Sequence, residues 1–140
     1  MKLDVYFIDA FADKVFTGNP AAVIFTDIDD EKLMQKIASE NNLSETAFVN
    51  LTKDTNYIRW FSPLKEVDLC GHATLASGFV YFNFINKDEN EVTFMSASGE
   101  LSVKRNDDLY ELNFPKDNLI KIDLKDQVAD SIGVKPIETY

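Results

Sequence analysis

What this chain of 140 residues has little of sets its first limits. A single cysteine, Cys70, leaves no partner for an internal disulfide, and an isolated thiol fits a reducing compartment, so a cytoplasmic location is expected. A single histidine, His72, excludes ligand pairs such as two His at i, i+4. Together with scattered carboxylates it supplies no metal spacing, and no metal is expected. Basic residues are outnumbered, 14 Lys and Arg against 24 Asp and Glu, for a formal charge of −10. Such a chain lacks the clustered cations that phosphate binding needs, so no nucleic-acid partner is expected. The longest mostly apolar stretch, Leu75 to Ile85, is too short to span a bilayer, and no membrane partner is expected. No basic leader precedes an apolar segment, since Asp4 and Asp9 interrupt the N-terminal stretch, so no signal peptide is expected either. No glycine-rich loop follows a candidate strand, which disfavours nucleotide cofactors. Ser44 and Ser62 have no nucleophile-elbow context.

What is abundant is aromatic surface. Eleven Phe, five Tyr and one Trp argue for large packed interiors and against disorder, and the length suits one domain. Lys2 to Ala10 and Ala21 to Phe25 read as strands, separated by a turn at Thr17-Gly18-Asn19-Pro20. Asp29 and Asp30 offer N-caps for a helix from about Glu31 to Glu40, whose Leu33, Met34, Ile37 and Ala38 share one face. Strands are expected over Glu45 to Leu51, Asn56 to Phe61, Glu91 to Ser96, Glu100 to Arg105 and Leu109 to Phe114. Gly71 to Ile85 has helical length but is apolar on every face, and such a helix must be wrapped by other structure. The expected fold class is therefore α+β: a curved, mostly antiparallel or mixed sheet rolled around one buried central helix. After Pro115 the composition turns polar. Residues 116–140 read as a linker with one amphipathic helix near Leu124 to Ile132, ended by Gly133 and Pro136.

Three clusters could carry chemistry. Glu45 opens a strand expected to be buried, where a carboxyl group suits general acid–base work, although a solvated strand end is an equally simple reading. Arg59 alternates with aromatics in Arg59-Trp60-Phe61-Ser62-Pro63 and could hold a carboxylate in bidentate fashion; it could equally sit at the surface, or pair with Glu66 or Asp68. Cys70-Gly71-His72-Ala73-Thr74 stands at the mouth of the apolar helix. Free N–H groups there bind carboxylate and lower a thiol pKa, and Gly71 would let a ligand approach the backbone. A buried structural Cys70 with His72 merely capping the helix is the plainer alternative. With metal, nucleotide and serine chemistry disfavoured, acid–base chemistry without a cofactor remains.

Five motifs then fall in one order: Asp9-Ala10-Phe11; Phe16-Thr17-Gly18-Asn19-Pro20-Ala21-Ala22-Val23; Leu43-Ser44-Glu45-Thr46-Ala47-Phe48; Arg59-Trp60-Phe61-Ser62-Pro63; and Glu66-Val67-Asp68-Leu69-Cys70-Gly71-His72-Ala73-Thr74. This succession resembles the N-terminal half of the PhzF-like phenazine-biosynthesis proteins, relatives of diaminopimelate epimerase. The resemblance covers residues 1–115. It implies a diaminopimelate epimerase-like fold of two similar lobes, each a rolled sheet around a central helix, with ligand in the cleft between them. It implies that Glu45 moves the proton during isomerisation of a dihydro-hydroxyanthranilate without metal or coenzyme, and that His72 lines that site. It places Cys70 where epimerase and racemase relatives keep a catalytic cysteine, and likens Asn19 to a ligand-contacting asparagine. Family members run to about twice this length. Their second lobe brings an acidic motif of the type Asp-Pro-x-Thr-Gly-Ser, which this sequence lacks.

The reading that follows is an N-terminal lobe, residues 1–115, of an isomerase or epimerase acting on a small carboxylated metabolite. Glu45 and His72 are its catalytic candidates. Asn19, Cys70, Gly71, His72 and Ala73 are its substrate-binding candidates, and residues 116–140 lead toward a second lobe. The alternatives are an inactive carboxylate-binding lobe, or a lobe whose cleft face drives homodimer formation.

Overall fold

The computed structural model describes residues 1–14, 16–116 and 118–140. Eight strands form one sheet: β1 (Tyr6–Ala10), β2 (Asn19–Phe25), β3 (Glu45–Leu51), β4 (Asn56–Phe61), β5 (Glu66–Val67), β6 (Glu91–Ser96), β7 (Gly99–Asn106) and β8 (Leu109–Asn113). They run in chain order across the sheet, with β5 paired to β4 off the main path. The helices are α1 (Glu31–Asn41), α2 (Gly71–Val80) and α3 (Lys125–Ile132). The expected α+β class and rolled sheet are what the chain adopts, and most expected strand bounds hold to within two residues. β1 is the exception, starting only at Tyr6. The short β5 has no counterpart in the sequence reading, because two residues carry no periodicity.

Neighbouring strands pair antiparallel except at two joins, β2 with β3 and β4 with β6. Parallel neighbours cannot be joined by a tight turn, so each of these joins needs a crossover long enough to hold a helix. The first crossover deposits α1 and the second deposits α2, on opposite faces of the sheet. Strand alternation shows this directly. Ala47 and Val49 of β3 and Ile58 and Trp60 of β4 join the larger core around α2, while Phe48 and Phe61 join a smaller core with Met34 and Ala38 of α1.

α1 starts where Asp30 accepts a hydrogen bond from the Leu33 N–H, a side-chain N-cap, and ends at Asn42 in the left-handed region (φ 51°). α2 touches β1, β2, β3, β7 and β8, so the sheet wraps it on most sides. Ala73, Thr74, Ala76, Ser77, Gly78 and Val80 are buried there. Thr74 and Ser77 return their hydroxyl protons to the carbonyls of Cys70 and Ala73, which satisfies both inside the core. The enclosure is incomplete. Beyond Val80 the helix loosens into a π turn, Tyr81–Ile85, where Phe84 and Ile85 are exposed. Leu75 and Phe79 stay half-buried because β1 and β8 are not paired to each other. They line an open apolar groove of about 540 Å3 between those two edges.

After Pro115, α3 forms as expected and ends at Gly133 (φ 74°), with none of its residues buried. Thr139 and Ile122 hold the segment to itself through backbone and hydroxyl hydrogen bonds.

Candidate functional site

The same crossovers that place α2 under the sheet bring three chain regions to one rim. β2 and β3 run parallel, so Asn19 and Glu45 both stand at strand starts on the same edge, with Ala21 opposite Glu45. Glu45 shares the face of Ala47 and Val49, which is the face that packs on α2. The N-terminus of α2 reaches that rim and carries Cys70, Gly71, His72 and Ala73.

Glu45, Cys70 and His72 meet there. One Glu45 carboxylate oxygen lies 3.3 Å from Nε2 of His72, with side-chain exposures of 21% and 10%. The pair is close but not aligned for a hydrogen bond, so the buried Nε2 has no hydrogen-bond partner among the described residues. On the other side of the ring, Nδ1 lies 3.4 Å from Sγ of Cys70. One ligand atom from each of the three residues falls within a 4.8 Å span, a donor cluster that residue spacing along the chain could not reveal.

Burial dominates the charge states. It lowers the His72 pKa below the ordinary value; the Glu45 carboxylate and the Pro20 carbonyl pull it back up without winning. The Cys70 thiol is pushed up to about 11, first by burial and then by the Glu45 charge, with the Ala73 N–H beside it acting in the opposite direction. A thiol lowered by the helix N-terminus was the expectation, and it is corrected here. Cys70 is only 7% exposed, and the loss of water outweighs the partial charge of the helix end.

The remaining candidates separate. Asn19 stands at the rim beside Pro20, but makes no side-chain hydrogen bond to the other three among the described residues. Ala73 is fully buried. Gly71 also has a packing reason: a Cβ there would lie 2.8 Å from the Phe114 ring. Arg59 resolves to a structural role. It lies on the α1 face of β4 and clamps Glu66 through two bonds of 2.6 and 2.7 Å, with Asp29 and Glu31 nearby. Its guanidinium also stands over the Phe61 ring. Gly18, one residue before Asn19, was readable as a turn glycine and is one: its φ is 88°, and a Cβ would meet the Ala10 carbonyl at 2.5 Å.

Two concavities are the groove between β1 and β8 and one of about 460 Å3 beside Arg59. Neither is lined by Glu45, Cys70 or His72. The three site residues form a surface at a rim.

Comparison with known proteins gives this rim a family. The model of the PhzC-PhzF family, phenazine biosynthesis-like protein, matches residues 8–133. An uncharacterized isomerase of Pseudomonas aeruginosa is 45% identical over 141 residues, which cover 99% of this chain and 54% of that protein. The solved structure of a PhzF-family phenazine biosynthesis protein from Enterococcus faecalis superposes with a TM-score of 0.86 at 44% identity, over 100% of this chain and 54% of that one. A PhzC/PhzF protein from Clostridium difficile gives 0.83 at 48% identity, over 99% and 54%. The chain spans about half the length of the curated relatives it matches. No helix among the described residues is long and apolar enough to cross a membrane. The chain belongs to the phenazine biosynthesis-like PhzC-PhzF family.

Proposed function

We propose, with membership of that family as the premise, that this chain supplies one face of an isomerase or epimerase site that moves a proton on a small carboxylated metabolite without metal or coenzyme. The observation that carries the reading is the carboxylate of Glu45 lying 3.3 Å from a His72 nitrogen that has no hydrogen-bond partner among the described residues. Glu45 takes the substrate proton and returns it at another carbon. His72, kept neutral by burial, assists by donating to or accepting from the substrate through Nε2. No side chain caps α2, so the Gly71 and His72 N–H groups are free to receive the substrate carboxylate. Asn19 sits where it can add a contact from the neighbouring strand start. Cys70, a neutral thiol, packs the floor and orients the imidazole. The lone thiol suits a cytoplasmic setting.

A proton-transfer site needs groups on both sides of the reacting carbon, and this rim supplies one side. The chain alone should therefore bind and turn over slowly. Incubating it with a dihydro-hydroxyanthranilate in D2O and following deuterium incorporation by NMR tests the chemistry. Slow exchange that is lost in Glu45→Gln supports the reading. Exchange equal in wild type and Glu45→Gln removes Glu45 from the reaction.

A second reading, an inactive lobe that pairs with a second copy, is favoured by the exposed Phe7, Phe11 and Leu109 along the β1 and β8 edges. Sedimentation decides it: a monomer at high concentration rules out the homodimer.

A further inference from the structure

We propose that Glu45, Cys70 and His72 also form a binding site for a soft divalent transition-metal ion of the zinc type, whose occupancy shuts the acid–base site. The three residue types are the zinc donors: a thiolate, an imidazole nitrogen and a carboxylate oxygen, with a fourth position left for water or substrate. The spacing fits. Bonds of about 2.3 Å to sulfur and about 2.0 Å to nitrogen at a tetrahedral angle set those two atoms roughly 3.5 Å apart. Sγ of Cys70 and Nδ1 of His72 are 3.4 Å apart. All three donors lie within 4.8 Å of one another, so small side-chain rotations close them on one ion. His72 can give the ion only one ring nitrogen, and Nδ1, on the Cys70 side, is that donor; the buried Nε2 stays turned to Glu45.

The charges balance. As the sulfur–metal bond forms, the Cys70 proton leaves to solvent, and thiolate plus carboxylate then neutralise a dication. The net charge of −10 draws cations to the surface. The other acidic side chains also attract them weakly, but only this site can place a thiolate on the metal, since Cys70 is the one cysteine. An ion held here takes up the Glu45 lone pair that proton transfer needs. That consequence rests on the acid–base reading; the metal site does not.

Cobalt(II) chloride is the probe, because thiolate ligation gives it a charge-transfer absorption that carboxylate sites lack. Titrating metal-free protein should raise that band to saturation at one equivalent, and zinc chloride should displace it. Cys70→Ser should abolish the band. Glu45→Gln, isosteric and at a partly exposed position, should weaken cobalt at least tenfold with unchanged circular dichroism. His72→Asn should do the same. Absence of the band at one equivalent, or full affinity in both Glu45→Gln and His72→Asn, overturns the proposal. Deuterium exchange run on the metal-free protein keeps the two ideas apart. A cobalt band beside exchange that ignores Glu45 sinks the acid–base reading alone, and Glu45-dependent exchange without a band sinks the metal site alone.

Discussion

The packing of α2 against the sheet can be challenged at one atom. Gly78 is buried mid-helix, and a Cβ placed on it would lie 2.5 Å from Cγ1, 2.8 Å from Cβ and 3.0 Å from Cγ2 of Val103. Rotating the Val103 side chain moves its methyls but not its Cβ, so β7 itself must retreat by nearly an ångström. Val103 is fully buried and has no free volume to enter. Overpacking of this kind costs about 1–3 kcal/mol, and a contact with Cβ belongs at the upper end. Alanine recovers about 1 kcal/mol of helix propensity over glycine. Gly78→Ala should thus lose about 1–2 kcal/mol net. With a urea slope in the usual range of about 1–3 kcal/mol per molar, the midpoint falls by roughly 0.5–1 M. Trp60, the only tryptophan and 1% exposed in the same core, reports the transition by fluorescence. Gly71→Ala is the comparison: its Cβ meets only the tip of Phe114, a ring 42% exposed that can swing aside, so its midpoint should move much less. A Gly78→Ala midpoint equal to or above wild type would refute the claim that α2 and β7 are in closest contact there.

The single histidine gives a clean proton NMR titration, and the His72 midpoint should fall below about 6.5. A folded value below the unfolded one means that the neutral ring is favoured by folding. Its stabilisation is therefore present above that pH and lost as pH falls through the folded midpoint. Since the Glu45 charge raises His72, Glu45→Gln should lower the midpoint further, and a midpoint above 6.5 in wild type would mean that the carboxylate outweighs burial. Cys70, with its thiol pushed up to about 11, should react with iodoacetamide at pH 8 on the order of a hundredfold more slowly than a free thiol. Glu45→Gln should speed that reaction, and alkylation at the free-thiol rate would place Cys70 in water. Arg59→Ala should lower stability by up to about 1 kcal/mol through the lost Glu66 clamp, yet leave the His72 resonance in place. A shifted resonance would contradict its position on the far face of the sheet.

How much of this was legible in the residues differs by scale. Strand and helix positions were, because β-branched and aromatic runs between polar turns carry a period that needs no tertiary information. The wrapped helix was legible from its lack of a polar face, though the gap beside Leu75 and Phe79 was not, since nothing local says whether β1 and β8 meet. Glu45 and His72 were candidates on residue type alone, and the family resemblance gave them their roles. As isolated residues, a strand-start glutamate and a helix-end histidine look structural. Their meeting is a product of topology, since 27 positions separate them and a parallel crossover closes the distance. Arg59 shows the opposite limit. Alternation placed it opposite Trp60, but which face was the site face depended on which crossover helix lay where. The state of Cys70 was misjudged because the helix end is visible in the sequence and the depth of burial is not.

The two faces of the sheet also explain why the site residues form a surface at a rim. A parallel join carries its helix to one side, and the start of that helix must return to the strand edge. The α2 N-terminus thus meets the β2 and β3 starts at a rim, where polar groups escape the core, and cannot meet them in its interior. Burying a carboxylate and an imidazole in the middle of the roll would strand both charges among Trp60, Phe82 and Phe94. At the rim, Glu45 retains 21% exposure and His72 10%, enough for a ligand to reach them and too little for water to solvate them fully. Relatives carry nearly as much chain again beyond the region aligned with this chain. On the proposed acid–base reading, a surface covering this rim would dehydrate Glu45 further and set which metabolite fits, while this lobe would fix where the proton moves.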